Sequence, residues 1–257
     1  MEFQIAYDTD TGLVKKTNQD SLCVMEAETE KGNILFALLC DGMGGLAKGE
    51  VASATLVRVF SEWFQGKLQN LLELEKPLEE IQYQWDRMIK IESQNIAEYG
   101  RKCELQLGST LTALLILENG TYLIGHVGDT RVYAIHQEGV EILTEDQTVV
   151  ANEIKQGRLT MEQAQTDPRR SVLLQCIGAS RIVEPVFLKG EVRPGECYML
   201  CSDGFRHEIS EEEILKELGF LANPDEAAMK ASVRRLIKRD MDRGERDNIS
   251  AILIKIV

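Results

Sequence analysis

Apolar positions recur along the chain with two different periods, and the switches between them outline its elements. Phe3–Tyr7 and Ser21–Met25 read as short strands joined by the turn-rich stretch from Asp8 to Asp20. Asn33–Cys40 is apolar without alternation, as in a strand buried on both faces. It stops at Asp41-Gly42-Met43-Gly44-Gly45, which reads as a glycine-rich loop. From Lys48 to about Leu74, and again from Leu78 to about Lys102, the spacing is helical, with Pro77 between the two segments. After Gly108 the period changes to that of strands: Thr110–Leu117, Thr121–Val127, Arg131–His136 and Val140–Leu143. Asn119-Gly120 is a strong hairpin signal, and the runs together predict an antiparallel meander.

Beyond the meander the elements shorten. Gln147–Gly157 and Thr160–Gln165 read as short helices, the second opened by a Thr160/Gln163 capping box. Ile182–Leu188, Cys197–Leu200 and Ile249–Val257 read as strands. Ser210 followed by Glu211-Glu212-Glu213 announces one helix, and Asn223-Pro224-Asp225-Glu226 another, with Pro224 at its first position. Strands and helices come in groups and do not alternate, which predicts an α+β fold of antiparallel sheets covered by helices. No repeat, low-complexity stretch or linker divides the chain, so residues 1–257 read as a single domain.

Composition narrows the function. The 257 residues carry 29 Lys and Arg against 42 Asp and Glu, a net charge of −13. Such a surface repels nucleic-acid backbones and anionic lipid, so neither nucleic acid nor membrane is an expected partner. The cysteines Cys23, Cys40, Cys103, Cys176, Cys197 and Cys201 form no C-x-x-C pair and sit mostly in apolar runs, as small core residues of a reducing compartment do. Met1 to Asp10 lacks the apolar core of a signal peptide, and the longest apolar run, Ile34–Cys40, is too short to span a bilayer. The expected location is the cytoplasm.

The chemistry sits where apolar strands run into aspartates: Leu38-Leu39-Cys40-Asp41-Gly42, Gly125-His126-Val127-Gly128-Asp129, Cys201-Ser202-Asp203-Gly204, and Arg246-Asp247-Asn248 before Ile249. A carboxylate beside a buried strand is costly to desolvate unless it is paired or binds a cation. Oxygen ligands select hard ions, Mg²⁺ or Mn²⁺ ahead of zinc. Asp-Gly after a strand is also an ordinary turn, so these residues permit a two-metal centre without requiring one.

Six segments follow one another along the chain: Gly12 to Ser21 (GLVKKTNQDS), Asp41 to Gly45 (DGMGG), Gly108 to Ala113 (GSTLTA), Val127 to Arg131 (VGDTR), Cys201 to Phe205 (CSDGF) and Arg246 to Ile249 (RDNI). In this order they resemble the type 2C metal-dependent serine/threonine protein phosphatases, the PPM family, in their compact bacterial form. The resemblance implies a sandwich of two antiparallel β-sheets flanked by helices on both outer faces. It implies that Asp41 bridges two ions of Mn²⁺ or Mg²⁺, with the Gly42 carbonyl on one and Asp203 and Asp247 on the other. Asp20 would hold a metal-bound water, and Asp129 would match the ligand of a third, weaker ion. Ions sharing a carboxylate lie roughly 3.5–4 Å apart and acidify a water between them, for in-line attack on phosphoserine or phosphothreonine. The implied partners are phosphorylated proteins and an opposing serine/threonine kinase, with the phosphatase acting as a monomer.

The chain departs from the family at several places. Lys15, followed by Lys16, stands where many members carry an arginine that clamps the substrate phosphate, and lysine lacks the bidentate fork. Met43 replaces the histidine of animal members, and Gln147-Thr148 replaces the usual His-Ser after Asp146. The stretch from about 151 to 180 occupies the place of the family's variable flap, where Arg169 and Arg170 could hold an acidic or phosphorylated peptide or be ordinary solvated charges. His126 reads as a hydrogen-bonded core histidine, and His136 and His207 as surface residues. Two alternatives stand beside the phosphatase: a degenerate, non-catalytic regulator of the same fold, and a two-metal phosphodiesterase.

Overall fold

The computed structural model describes residues 1–43 and 48–257, so Gly44 and Gly45 of the glycine-rich motif lie outside the described residues. The strands are β1 (Phe3–Asp10), β2 (Asp20–Thr29), β3 (Gly32–Met43), β4 (Gly108–Ser109), β5 (Leu111–Ile116), β6 (Thr121–Val127), β7 (Arg131–Ile135), β8 (Val140–Ile142), β9 (Val186–Glu191), β10 (Cys197–Cys201) and β11 (Ile249–Ile256). The helices are α1 (Gly49–Leu72), α2 (Pro77–Cys103), α3 (Val149–Lys155), α4 (Met161–Thr166), α5 (Asp203–Arg206), α6 (Glu211–Leu218) and α7 (Glu226–Arg243).

The apolar run of β3 divides by parity. Ile34, Phe36, Leu38 and Cys40 face α1 and α2, while Leu35, Ala37 and Leu39 face the second sheet. One sheet has the order β2-β3-β5-β6-β9 with β4 on β3, the other β1-β11-β10-β7-β8, and the paired strands are antiparallel. On the outer face of the second sheet, Tyr133, Met199, Cys201 and Leu253 pack against Phe205, Ile214, Val233 and Leu236 of α5, α6 and α7. The result is the expected sandwich with helices on both outer faces. Phe36 anchors the first helical layer, its ring 5.4 to 6.5 Å from those of Phe60, Trp63, Phe64 and Trp85. Truncating so buried a ring to alanine costs about 3–5 kcal/mol.

Several expectations are corrected. β3 does not stop at Cys40: it runs through Asp41, Gly42 and Met43, because Gly42 and Met43 pair with Ser109 and Gly108. The predicted meander breaks in the middle. β5 and β6 pair in one sheet and β7 and β8 in the other, and the chain crosses between them at Gly128-Asp129-Thr130, with Gly128 at φ 111°. The strand expected over Ile182–Leu188 begins at Val186. Pro224 lies just outside α7, whose N-cap is Asp225, the side chain accepting from the Ala228 amide at 2.8 Å. The capping boxes at Thr160 and Ser210 are present.

Candidate metal centre

The antiparallel register of β2 and β3 sets Asp20 directly opposite Asp41. The Asp41 backbone is held on its other side by the Gly108-Ser109-Thr110 segment. Its amide donates to Thr110 Oγ1 at 2.8 Å, and its carbonyl accepts from the Thr110 amide at 2.9 Å and Ser109 Oγ at 3.0 Å. Gly42 is required by close approach, since a Cβ there would stand 2.4 Å from the Gly49 carbonyl oxygen and 2.5 Å from that of Gln19. Across the sandwich, Asp203 opens α5 two residues after β10, and Asp247 lies two residues before β11. Gly204 lets these segments touch: a Cβ on it would be 2.2 Å from the Asn248 carbonyl oxygen.

Asn248 fastens the loop between β1 and β2. Its Oδ1 accepts from the Gln19 amide at 2.9 Å, and its Nδ2 donates to the carbonyls of Thr11 at 2.9 Å and Thr17 at 3.2 Å. That loop carries Lys15 to the rim of the carboxylates, where its Nζ lies 2.7 Å from Asp247 Oδ1. Partial burial opposes the Lys15 charge, but the Asp247 hydrogen bond, with Asp41 and Asp203 nearby, outweighs it and raises the pKa. Met43 is partly exposed at the end of β3.

The carboxylates share too much negative charge for their burial. Asp20 is pushed up to about 7, chiefly by desolvation, with Asp203 adding to the rise and the Ser250 hydroxyl, which donates to its Oδ2 at 2.6 Å, opposing it. Asp41 is raised well above the ordinary carboxylate range by burial, then by Asp20, Asp203, Asp129 and Asp247. Asp129 is pushed up to about 7 by burial and Asp203, against the pull of Arg206. Asp20 Oδ1 and Asp203 Oδ1 are buried without a hydrogen-bond partner. Buried acceptors without donors are costly, and these oxygens suit a hard divalent cation. Among the described residues no three acidic, histidine or cysteine side chains close around one point at ligating distance, so the aspartates border a common space without forming a finished cage.

His207 is half-buried and tied into the site, where a surface position is expected from the sequence. Its Nδ1 lies 2.9 Å from Glu245 Oε2 and its Nε2 3.6 Å from Asp203 Oδ2. Glu245 in turn accepts from the amides of Arg246 and Asp247 at 2.6 and 2.8 Å; burial pushes its carboxyl up, but the His207 hydrogen bond, with those of the two amides, outweighs burial and holds it at about 2. Arg206 lies beside both Asp129 and Asp146, and Arg131 pairs with Asp146. Arg131 ends the Val127–Arg131 segment, whereas Arg206 and Asp146 carry no signal in the sequence beyond lying next to the motifs. His126 is the core histidine expected, bonded to Thr112 Oγ1 and the Glu145 carbonyl, its pKa lowered to about 4 by burial. In the segment at about 151–180, Arg169 pairs with Asp167 at 2.8 Å and Arg170 donates to the Gln165 carbonyl at 3.2 Å, contacts confined to their own segment. Gln147, at the place of the family's histidine, brackets Gly128: its side chain accepts from the Gly128 amide and its amide donates to the Gly128 carbonyl, both at 2.8 Å.

The fold is a helix-covered β-sandwich with aspartates at or near its strand ends. Residues 14–253 match the family described as protein phosphatase 2C, and the chain belongs to that family. It is 32% identical over 251 residues to the serine/threonine protein phosphatase PstP of Mycobacterium tuberculosis, covering 97% of this chain and 44% of PstP, so the chain spans less than half the length of that relative. The structure of the S. agalactiae serine/threonine phosphatase is similar over the full length of both chains, with TM-score 0.84 and 28% identity. A structure of the PstP catalytic domain in complex with 2 manganese ions matches with TM-score 0.79 and 28% identity, covering 99% of this chain and 98% of that one.

Proposed function

We propose that this chain is a metal-dependent protein phosphatase that hydrolyses phosphoserine and phosphothreonine, with Mn²⁺ or Mg²⁺ as cofactor. The observation that carries the reading is the meeting of Asp20, Asp41, Asp203 and Asp247 from both sheets, with Asp20 Oδ1 and Asp203 Oδ1 buried and lacking donors. Membership of the family and the manganese bound by the PstP domain support it.

Asp41, the Gly42 carbonyl, Asp203 and Asp247 would hold the ions. When bound, two such ions supply an acidified water able to attack phosphorus. The protein's own groups do the rest. Asp20, steadied by Ser250 on one oxygen, keeps the other for a proton of the attacking water. Lys15 stays protonated beside Asp247 and offers a point charge to the phosphate oxygens at the rim. Residues 1–257 would act as one phosphatase domain, with the segment at about 151–180 as a flap whose Arg169 and Arg170 meet the flanks of a phosphopeptide.

The buried thiols of Cys40, Cys176, Cys197 and Cys201 suit a reducing, cytoplasmic setting in which a monomer opposes a serine/threonine kinase. Among the described residues no helix is long and apolar enough to cross a membrane. The deciding experiment is hydrolysis of p-nitrophenyl phosphate and of a phosphothreonine peptide with Mn²⁺, Mg²⁺ or chelator, beside a bis-p-nitrophenyl phosphate diester. Activity on both monoesters that disappears with chelator, and in folded Asp41→Asn or Asp203→Asn, is expected. Full activity in folded Asp41→Asn, or a preference for the diester, would defeat the reading.

A further inference from the structure

Asp129 keeps different company from the other aspartates. It sits at the crossing between the two sheets, almost wholly buried. Arg206, at the end of the short helix that Asp203 begins, directs its guanidinium there. Arg206 Nη2 lies 3.5 Å from Asp129 Oδ2 and donates to the Asp129 carbonyl at 3.2 Å. The same nitrogen is 3.1 Å from Asp146 Oδ2. Arg131 grips Asp146 in turn, with paired bonds of 2.7 and 2.8 Å. The two guanidiniums and two carboxylates form a mostly buried group whose formal charges cancel. Arg206 Nε is buried with no acceptor, so this side chain is held in place for its charge more than for a full set of hydrogen bonds. Neither Asp20 nor Asp41 has an ion-pair partner among the described residues.

We propose that the Arg206 guanidinium is a built-in cation at Asp129, so that the centre takes two divalent ions and admits no third on that carboxylate. The inference rests on the metal-dependent reading above. Arginine does not give up its proton in a protein, so its charge cannot be titrated away to make room. A divalent ion on Asp129 would have to sit within about 2.6 Å of its oxygens, a few ångströms from a fixed positive charge in surroundings that screen poorly. Withdrawing Arg206 instead would leave Asp129 unpaired and Asp146 with one arginine. The third-ion role that family resemblance implies for Asp129 is therefore taken by a residue of the chain itself.

The test is metal stoichiometry. Mn²⁺ is titrated into the native chain, Asp129→Asn, Arg206→Met and the double variant, with free ion followed by electron paramagnetic resonance and bound ion by equilibrium dialysis into the millimolar range. The native chain and Asp129→Asn should each bind two ions. Arg206→Met should gain a third, and combining it with Asp129→Asn should remove that third ion again. A native chain that binds three ions, one of them lost in Asp129→Asn, would overturn the proposal without help from any arginine variant. So would a folded Arg206→Met that still binds two, and if Arg206→Met fails to fold by circular dichroism, Arg206→Gln replaces it under the same criterion. A native chain that binds no Mn²⁺ would instead remove the metal-dependent reading on which the proposal stands.

Discussion

Replacing Asn248 with alanine removes three hydrogen bonds that join the start of β11 to the loop between β1 and β2, those with Gln19, Thr11 and Thr17. Each is a net gain of about 0.5–1.5 kcal/mol, so the set is worth about 3 kcal/mol. Because Asn248 is buried, water does not readily replace the lost partners. For a domain of this size each kcal/mol moves the melting temperature by roughly 2–4 °C, which gives a fall of about 6–12 °C for Asn248→Ala. The loop also carries Lys15, so the KM for p-nitrophenyl phosphate should rise as well, and the Gln19 amide should exchange faster in hydrogen-exchange measurements. Asn248→Asp keeps the acceptor for Gln19 but turns an oxygen toward the two threonine carbonyls, so it should be no more stable than the alanine variant. Two outcomes would refute the reasoning: a melting temperature and Gln19 exchange rate unchanged in Asn248→Ala, or an Asn248→Asp protein as stable as the native one.

The remaining predictions concern the rim, the flap and the charge of the centre. Lys15→Ala should raise KM more than it lowers kcat, the pattern for lost binding common to ground and transition states, and Lys15→Arg should preserve or lower KM; steady-state kinetics on p-nitrophenyl phosphate decides. Arg169→Ala with Arg170→Ala should spare that small substrate and slow a phosphothreonine peptide, and equal loss on both would assign the arginines to the fold. In chelated protein, Asp20 and Asp129 titrate near 7 when folded and near 3.8 when unfolded, so the folded state holds more protons between these values and loses stability as pH rises from about 4 to 7. Melting temperatures across that range should show the fall with chelator and a shallower fall with Mn²⁺, because Asp129 takes no ion, and a chelated protein that grows more stable toward pH 7 would contradict the assignment.

Much of this site is legible in the sequence because its groups lie in short local patterns, an apolar strand followed by an aspartate and a glycine that permits close approach. The continuous apolar run of β3 likewise reports burial on two faces, since only a strand between two layers needs an apolar side chain at every position. What local patterns do not report is which strand ends meet. Nothing between Val127 and Arg131 distinguishes a hairpin from a crossing into another sheet, because the choice is settled by Val132 and Ala134 packing in the core between the sheets. For the same reason nothing local in the sequence marks Arg206, His207 and Glu245 as neighbours of these aspartates. Their roles come from partners distant in the chain, as with Glu245, which reaches His207 from 38 residues away.

The position of β11 bears on how the protein comes into being. This strand, at residues 249–256, fills the interior of its sheet between β1 and β10, so β1 has no strand partner until nearly the whole sequence is available. Pairings between such distant segments form slowly and leave strand edges exposed in the interim. Asp247 and Asn248 enter with this strand, which means that Asp20, Asp41 and Asp203 lack their last companion until the sheet closes. On the proposed function, a chain that stops short of Asp247 and β11 should bind Mn²⁺ less tightly than the full chain.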